Sequence, residues 1–425
     1  MALFKPVEEG EENNNTSDLI TCFDLLGMFD ETEKEQPPEH LIIVPPPESD
    51  TAKNITKVVI EPTALIAAAK EGKGETVTNL LANGADVNFQ DPDKGYCAIM
   101  EAANYGWNTL VFDLLTHGAN PNLKDKTGNT ALMMATFHGQ TKVVRTLLEH
   151  GADANLQNVN GNTALLNAAA NGYVEIVVAM VAHGADVNIH SNNGDTALTK
   201  AARSGSNQIV RLLIEEGANL DAQTKGYMET ALIKAVLKGH LDVAQTLISH
   251  GANLNVVQGC GETALRKAIS NRNTEMTQLL LTSGADTNVQ NRLGETALIF
   301  AAGKGELKMV SLLVAHEAKI DLQDKWGRTA LIRAVQEGHL DVVNCLLKHG
   351  AKTNLQEQTK GKTALMFASY AGNHDIVKAL ICHGALANKR NSFGDTALMN
   401  ASCQGHKEVA QTLVKHGADV NNINR

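Results

Sequence analysis

Rings are scarce in this sequence. Aromatic residues make up 4% of it, while 43% of all residues are hydrophobic. A core without rings has to be built from Ala, Leu, Ile and Val, whose small volumes suit closely stacked elements. The six cysteines (Cys22, Cys97, Cys260, Cys345, Cys382 and Cys403) contain no Cys-x-x-Cys pair. That spacing argues against a zinc site or a disulfide framework and for a reducing, cytoplasmic setting. No run of about 18 apolar residues occurs, and the N-terminus has no basic start leading into an apolar stretch. The chain therefore reads as soluble, with no membrane insertion and no secretory leader.

Proline is nearly absent beyond the first sixty residues: seven of the nine stand at or before Pro62. Charge divides at the same place. Residues 1–61 hold fourteen acidic and four basic residues, which accounts for the whole net charge of −10; residues 62–425 hold 33 of each. A balanced long segment sets up no general attraction for nucleic acid.

What fills the long segment is a repeat. Thr-Ala-Leu begins at Thr63, Thr130, Thr163, Thr196, Thr230, Thr263, Thr296, Thr329, Thr363 and Thr396, and Cys97-Ala98-Ile99 occupies the one gap. Eleven units result, spaced 33 or 34 residues apart. Within a unit, the Thr suits a helix N-cap. Ala330, Leu331, Ala334 and Val335 then share one helical face. Gly338, nine places after Thr329, suits the left-handed end of that helix. A second helix carries Val342, Val343, Leu346 and Leu347 and ends at Gly350. An extended segment with a fixed Asn or Asp follows, from Asn88 to Asn421, and a Gly-containing turn leads to the next Thr. One such helix pair cannot bury its own apolar faces, so consecutive units must stack.

The 33-residue period and phrases such as HGADVN at 183–188 and 416–421 resemble ankyrin repeats over about 85% of the chain. The resemblance implies an all-α repeat solenoid, a stack of helix-turn-helix units with β-turn or hairpin fingers. The family's usual Thr-Pro-Leu-His here reads Thr-Ala-Leu followed by an apolar residue such as Ile233, Ile332 or Met366. Two framework glycines are replaced, by Arg272 in unit seven and by Glu317 in unit eight. Asn271 or Asn273 is available to take the left-handed position in unit seven, and these two units are expected to be the loosest.

Residues 1–61 form a separate acidic, proline-containing segment. Within it, residues 17–31 have the pattern of a short helix, and 41–47 that of an accessory strand. The helix either covers the open end of unit one or docks and inhibits in the groove.

No catalytic set emerges. Eight histidines (His117, His150, His183, His250, His316, His349, His383 and His416) occupy one repeat position, and stacked helices are too far apart for these to share a metal. Gly259-Cys260-Gly261-Glu262-Thr263-Ala264 imitates a dinucleotide-binding turn, but Gly261 is the ordinary turn glycine of the repeat. No cofactor is expected, and the array leaves no room for a catalytic domain of ordinary size.

Function should lie at positions the repeat leaves open: the turn before each Thr, and the residues seven, eight and ten places after it. The resemblance puts these on the concave face and finger tips. Tyr173 and Tyr227 fall there, and two clusters stand out. The first, in units two and three, is Tyr96, Tyr105, Trp107, Phe137 and His138. The second sets Trp326, Tyr370 and Phe393 among Lys325, Arg328, Lys360, Lys362, Lys389 and Arg390, with the acids Glu229, Glu262 and Glu295 between the clusters. Aromatic clusters of this kind make interface hot spots. The expectation is a monomeric, non-enzymatic scaffold or adaptor for protein partners. The alternative is a regulatory or inhibitory subunit of an enzyme that uses its acidic N-terminal segment.

Overall fold

The structure, a computed structural model, describes residues 61–259 and 261–423. The helix expected at 17–31 and the strand expected at 41–47 lie outside the described residues. Twenty-two α-helices, α1 to α22 in chain order from Ala64–Lys70 to Lys407–Lys415, form eleven consecutive pairs among the described residues. The first helix of each pair packs on the first helix of the next, and second helices pack likewise on second helices. Two parallel layers result, with the turn-rich fingers projecting beside the first.

Local chemistry sets the boundaries. In unit nine, Thr329 has extended backbone and its Oγ1 accepts from the Ile332 amide at 3.2 Å. The same cap closes every first helix from Thr130 to Thr396. Thr63 differs: its backbone is helical and its hydroxyl donates to Glu61. Cys97 is extended but makes no cap bond. The thiol is buried, which pushes it up to about 11 and leaves it unreactive near neutral pH.

Between the layers lies a core without a single fully buried ring among the described residues. Val342, Val343, Leu346 and Leu347 are buried as expected, each worth roughly 1.5–3 kcal/mol relative to an exposed side chain. The apolar residue after Thr-Ala-Leu is also interior, as at Ile233 and Ile332.

Polar bridges then lock one unit to the next. The fixed Asn155 accepts the Asp186 amide at 2.7 Å through Oδ1 and donates Nδ2 to the Gly184 carbonyl at 3.1 Å. Asn88, Asn122, Asn188, Asn354 and Asn388 do the same. Asp221 and Asp321 keep the acceptor half, taking the amides of Asn253 and Lys352. The recurrent histidines are helix caps. In seven of the eight, from His117 to His416, Nδ1 faces the carbonyl four residues earlier at 2.7–2.8 Å. A carbonyl only accepts, so Nδ1 carries the hydrogen. His316 is the exception and faces Gln278 of the preceding unit.

The fingers are turns rather than regular strands. Among the described residues the sole β-bridge is isolated, Gln356 with Thr363. Side chains such as Asp125 instead accept the finger's own amides, and single backbone bonds such as Lys126 N–H to Lys94 O, 2.9 Å, connect neighbouring fingers.

The missing glycines leave their mark where expected, with one correction. Arg272 itself is left-handed, at φ 55°; Asn271 is not, and Asn273 caps the second helix by accepting from Met276 at 3.0 Å. Asn273, at φ −85°, is extended rather than left-handed. Glu317 is left-handed at φ 61°, as is Met228 at φ 57° in the long finger of unit six, which the repeat pattern does not anticipate. A side chain held there costs roughly 1–2 kcal/mol. Glu317→Gly is expected to stabilise the array by about 1 kcal/mol in urea unfolding. Hydrogen exchange in the wild type should be fastest in units seven and eight, and protection there equal to that of units three and four would contradict this.

Candidate protein-binding surface

The second cluster is assembled by three neighbouring fingers and the helices behind them. In unit nine the buried Asp324 accepts the amides of Trp326 and Arg328 at 2.9 and 2.8 Å, and its other oxygen takes Arg328 Nε at 2.7 Å. This holds the guanidinium 4.3 Å over the indole of Trp326, which remains 38% exposed. In unit ten the buried Glu357 plays the same part for the amides of Thr359, Lys360 and Lys362. Burial raises the Glu357 pKa, but these amides and the Thr359 hydroxyl outweigh it and hold the carboxyl below its usual value. The Lys362 ammonium lies 5.0 Å over Tyr370 and 5.6 Å from Phe367. Backbone bonds join the tips: Gln358 donates to Trp326 and Ser392 to Lys360, which brings the exposed Phe393 alongside. Lys325 and Lys360 are exposed. Lys389 donates to the Asn354 carbonyl and Arg390 to Asn422, so both are partly spent on the framework.

The first cluster is looser. Tyr105, Trp107, Phe137 and His138 are exposed, with Phe137 and His138 edge to face at 5.1 Å. Partial desolvation of the exposed His138 ring lowers its pKa. Tyr96 is half-buried against the core, as is Tyr173, whereas Tyr227 is widely exposed. Five units separate this group from the second.

Position ten, treated above as open, is dictated by packing. Trp107 donates its indole N–H to the Lys70 carbonyl at 3.3 Å and lies on Gly72, where a Cβ would fall 2.7 Å from the ring. His240, His339 and His406 hold the same place and direct Nε2 to the carbonyls of Arg203, Gly303 and Tyr370 at 3.0–3.2 Å. The glycine before it is thus needed for its positive φ and for this close approach.

The acids between the clusters are not a free acidic surface. Glu229 pairs with Lys234, Glu262 with Lys267 and Arg266, and Glu295 with Arg266 at 2.6 Å. Arg266 is 8% exposed at a position that is aliphatic in most units, and it stacks on Phe300 at 4.2 Å. In the sequence it stands as a charged intruder in an otherwise largely apolar column. Aliphatic side chains, Val159 and Leu293, are exposed at finger tips too, and the pattern of rings does not reveal them. No cluster of metal-ligating residues occurs, and no helix is long and apolar enough to cross a membrane, among the described residues.

Stacked helix pairs, bridged by asparagines and carrying side chains on turn-built fingers, define a class of repeat solenoid. Two family models match it: ankyrin repeats (3 copies) at residues 65–158, 151–224, 265–357 and 351–424, and ankyrin repeats (many copies) at 232–281. The chain belongs to the ankyrin-repeat family, whose repeats generally mediate protein–protein interaction. Among curated proteins it is similar to an ankyrin repeat-containing protein of Treponema pallidum (strain Nichols), 42% identical over 67 residues, 16% of this chain and 22% of that one. A human 2-5A-dependent ribonuclease is 33% identical over 86 residues, 20% of this chain and 12% of the ribonuclease. Ankyrin repeat and SAM domain-containing protein 6 of Danio rerio is 36% identical over 75 residues, 18% and 10% of the two chains. The matches thus span less than a quarter of each relative.

The ion-paired belt gives a pH prediction. Burial raises the Glu262 pKa, but the hydrogen bond and charge of Lys267, with Arg266, more than offset it and hold the carboxyl below 4.5. A depressed carboxylate stabilises fully above its unfolded value and loses that contribution as pH falls through the lower folded one. Acidification should therefore weaken units seven and eight, and Glu262→Gln should flatten the dependence in urea titrations. Parallel pH curves for the two proteins would refute this.

Proposed function

We propose that this chain is a non-enzymatic scaffold or adaptor that binds protein partners along its fingers and the adjoining first helices. The observation that carries the reading is the placement of Trp326 and Tyr370. Where the core excludes rings among the described residues, these two stand exposed, each faced by a cation carried on a finger, Arg328 or Lys362. Preordered aromatic and Arg side chains lose little entropy on binding and are enriched at interface hot spots. The non-enzymatic part is supported by the employment of the repeated polar groups: the cap threonines and most histidines of the eight-fold position serve the backbone.

Affinity capture with the full-length protein tests the reading. Trp326→Ala with Tyr370→Ala should lose partners that the wild type retains, by about tenfold or more for a hot-spot pair. Identical partner sets would overturn the assignment of this surface.

A further inference from the structure

In the fingers of units two to six and eight to eleven, a side-chain acceptor takes the amide of the residue leaving the finger, just before the Thr or, in unit two, Cys97. In units five, six and eight that acceptor is neutral: Ser191 takes the amide of Asp195, Thr224 that of Glu229, and Asn291 that of Glu295. The leaving residue is then an acid, and it pairs with a cation behind it: Asp195 with Lys200 at 3.0 Å, Glu229 with Lys234, and Glu295 with Arg266. Unit seven has the same residue types in these places, Gln258 and Glu262, joined by the Gln258 amide donating to the Glu262 carbonyl at 2.8 Å, and Glu262 pairs with Lys267 at 2.5 Å.

Units nine and ten invert it. The acceptors are the buried acids Asp324 and Glu357, and the leaving residues are the bases Arg328 and Lys362. Unit eleven reverts, with Asn391 leading to Asp395. The inversion has a consequence behind the fingers. Arg333 occupies the place of Lys200, Lys234 and Lys267 but has no acid in front of it; its Nε is buried without an acceptor, and its nearest carboxylate, Glu337, is 3.7 Å away. No carboxylate pairs with Lys325, Lys360 or Lys362 among the described residues.

Building on the protein-binding reading above, we propose that units nine and ten form a subsite for an acidic peptide segment of a partner protein. Its carboxylates meet Arg333, Lys360 and Lys362, and its apolar side chains lie against Trp326 and Tyr370. Two units stacked at about 10 Å each take roughly six extended residues. A peptide fits better than a nucleic acid, because the bases from residue 62 onward are matched by acids in number and create no long-range basic field.

The test uses the full-length protein and a fluorescein-labelled peptide of about ten residues alternating Glu and Phe, with versions carrying Gln or Lys in place of Glu, read by anisotropy. The variant Asp324→Asn with Arg328→Glu copies the Asn291–Glu295 frame of unit eight and so preserves the finger; its helicity is checked by circular dichroism. The Glu peptide should bind, more weakly as salt rises, and the Gln peptide and the double variant should each lose about tenfold or more. Absence of binding, equal binding of Glu and Gln peptides, an unaffected double variant, or tighter binding of a single-stranded RNA of similar length would overturn the proposal. If it fails while the Trp326 and Tyr370 alanine variant still loses captured partners, only the acidic preference falls. If that variant also loses none, the protein-binding reading of this surface falls with it.

Discussion

Everything in this array depends on the contact of one helix pair with the next. A pair of seven-to-nine-residue helices is too short to persist in water unaided. Its Ala, Leu and Val side chains leave water only when another pair covers them. The same contact satisfies the backbone where the helices stop: an asparagine such as Asn155 closes the polar groups of the next unit's turn. A buried amide or carbonyl without such a partner would cost on the order of 1–3 kcal/mol. Apolar burial and polar satisfaction therefore fall at the same interface, which is why the same residue types return every 33 or 34 positions.

Much of this was legible in the sequence because repetition separates what the fold needs from what it tolerates. The caps from Thr130 onward, the glycine ends and the apolar faces came directly from the period. The eight histidines share one repeat position in the sequence, but their bond to the carbonyl four residues earlier depends on a ring orientation that spacing alone does not specify. The role of position ten is hidden in the sequence for a related reason. Trp, Gln, Tyr, Ser, His and Asn all occur there, so it looks unconstrained, yet Trp107 and His240 reach the same kind of carbonyl with different rings. A position can be fixed in role while free in residue type.

Charge on the surface was the least legible. Counting acids between the clusters suggests an acidic surface, because a count ignores partners five residues on or in the preceding unit. Lys234, Arg266 and Lys267 cancel it. The basic character of units nine and ten survives because their acids, Asp324 and Glu357, are turned inward to hold the fingers. The same carboxylate chemistry thus builds the scaffold in one place and neutralises the surface in another.

The central claim is that stability is shared between nearest neighbours. Replacing one bridging residue in the middle of the array, Asn188→Ala, and following hydrogen exchange along the whole chain tests it most directly. The account predicts lost protection in units four and five, on either side of the broken bridge, fading within a unit or two in both directions. Protection lost evenly from unit one to unit eleven, or not lost at all, would contradict it.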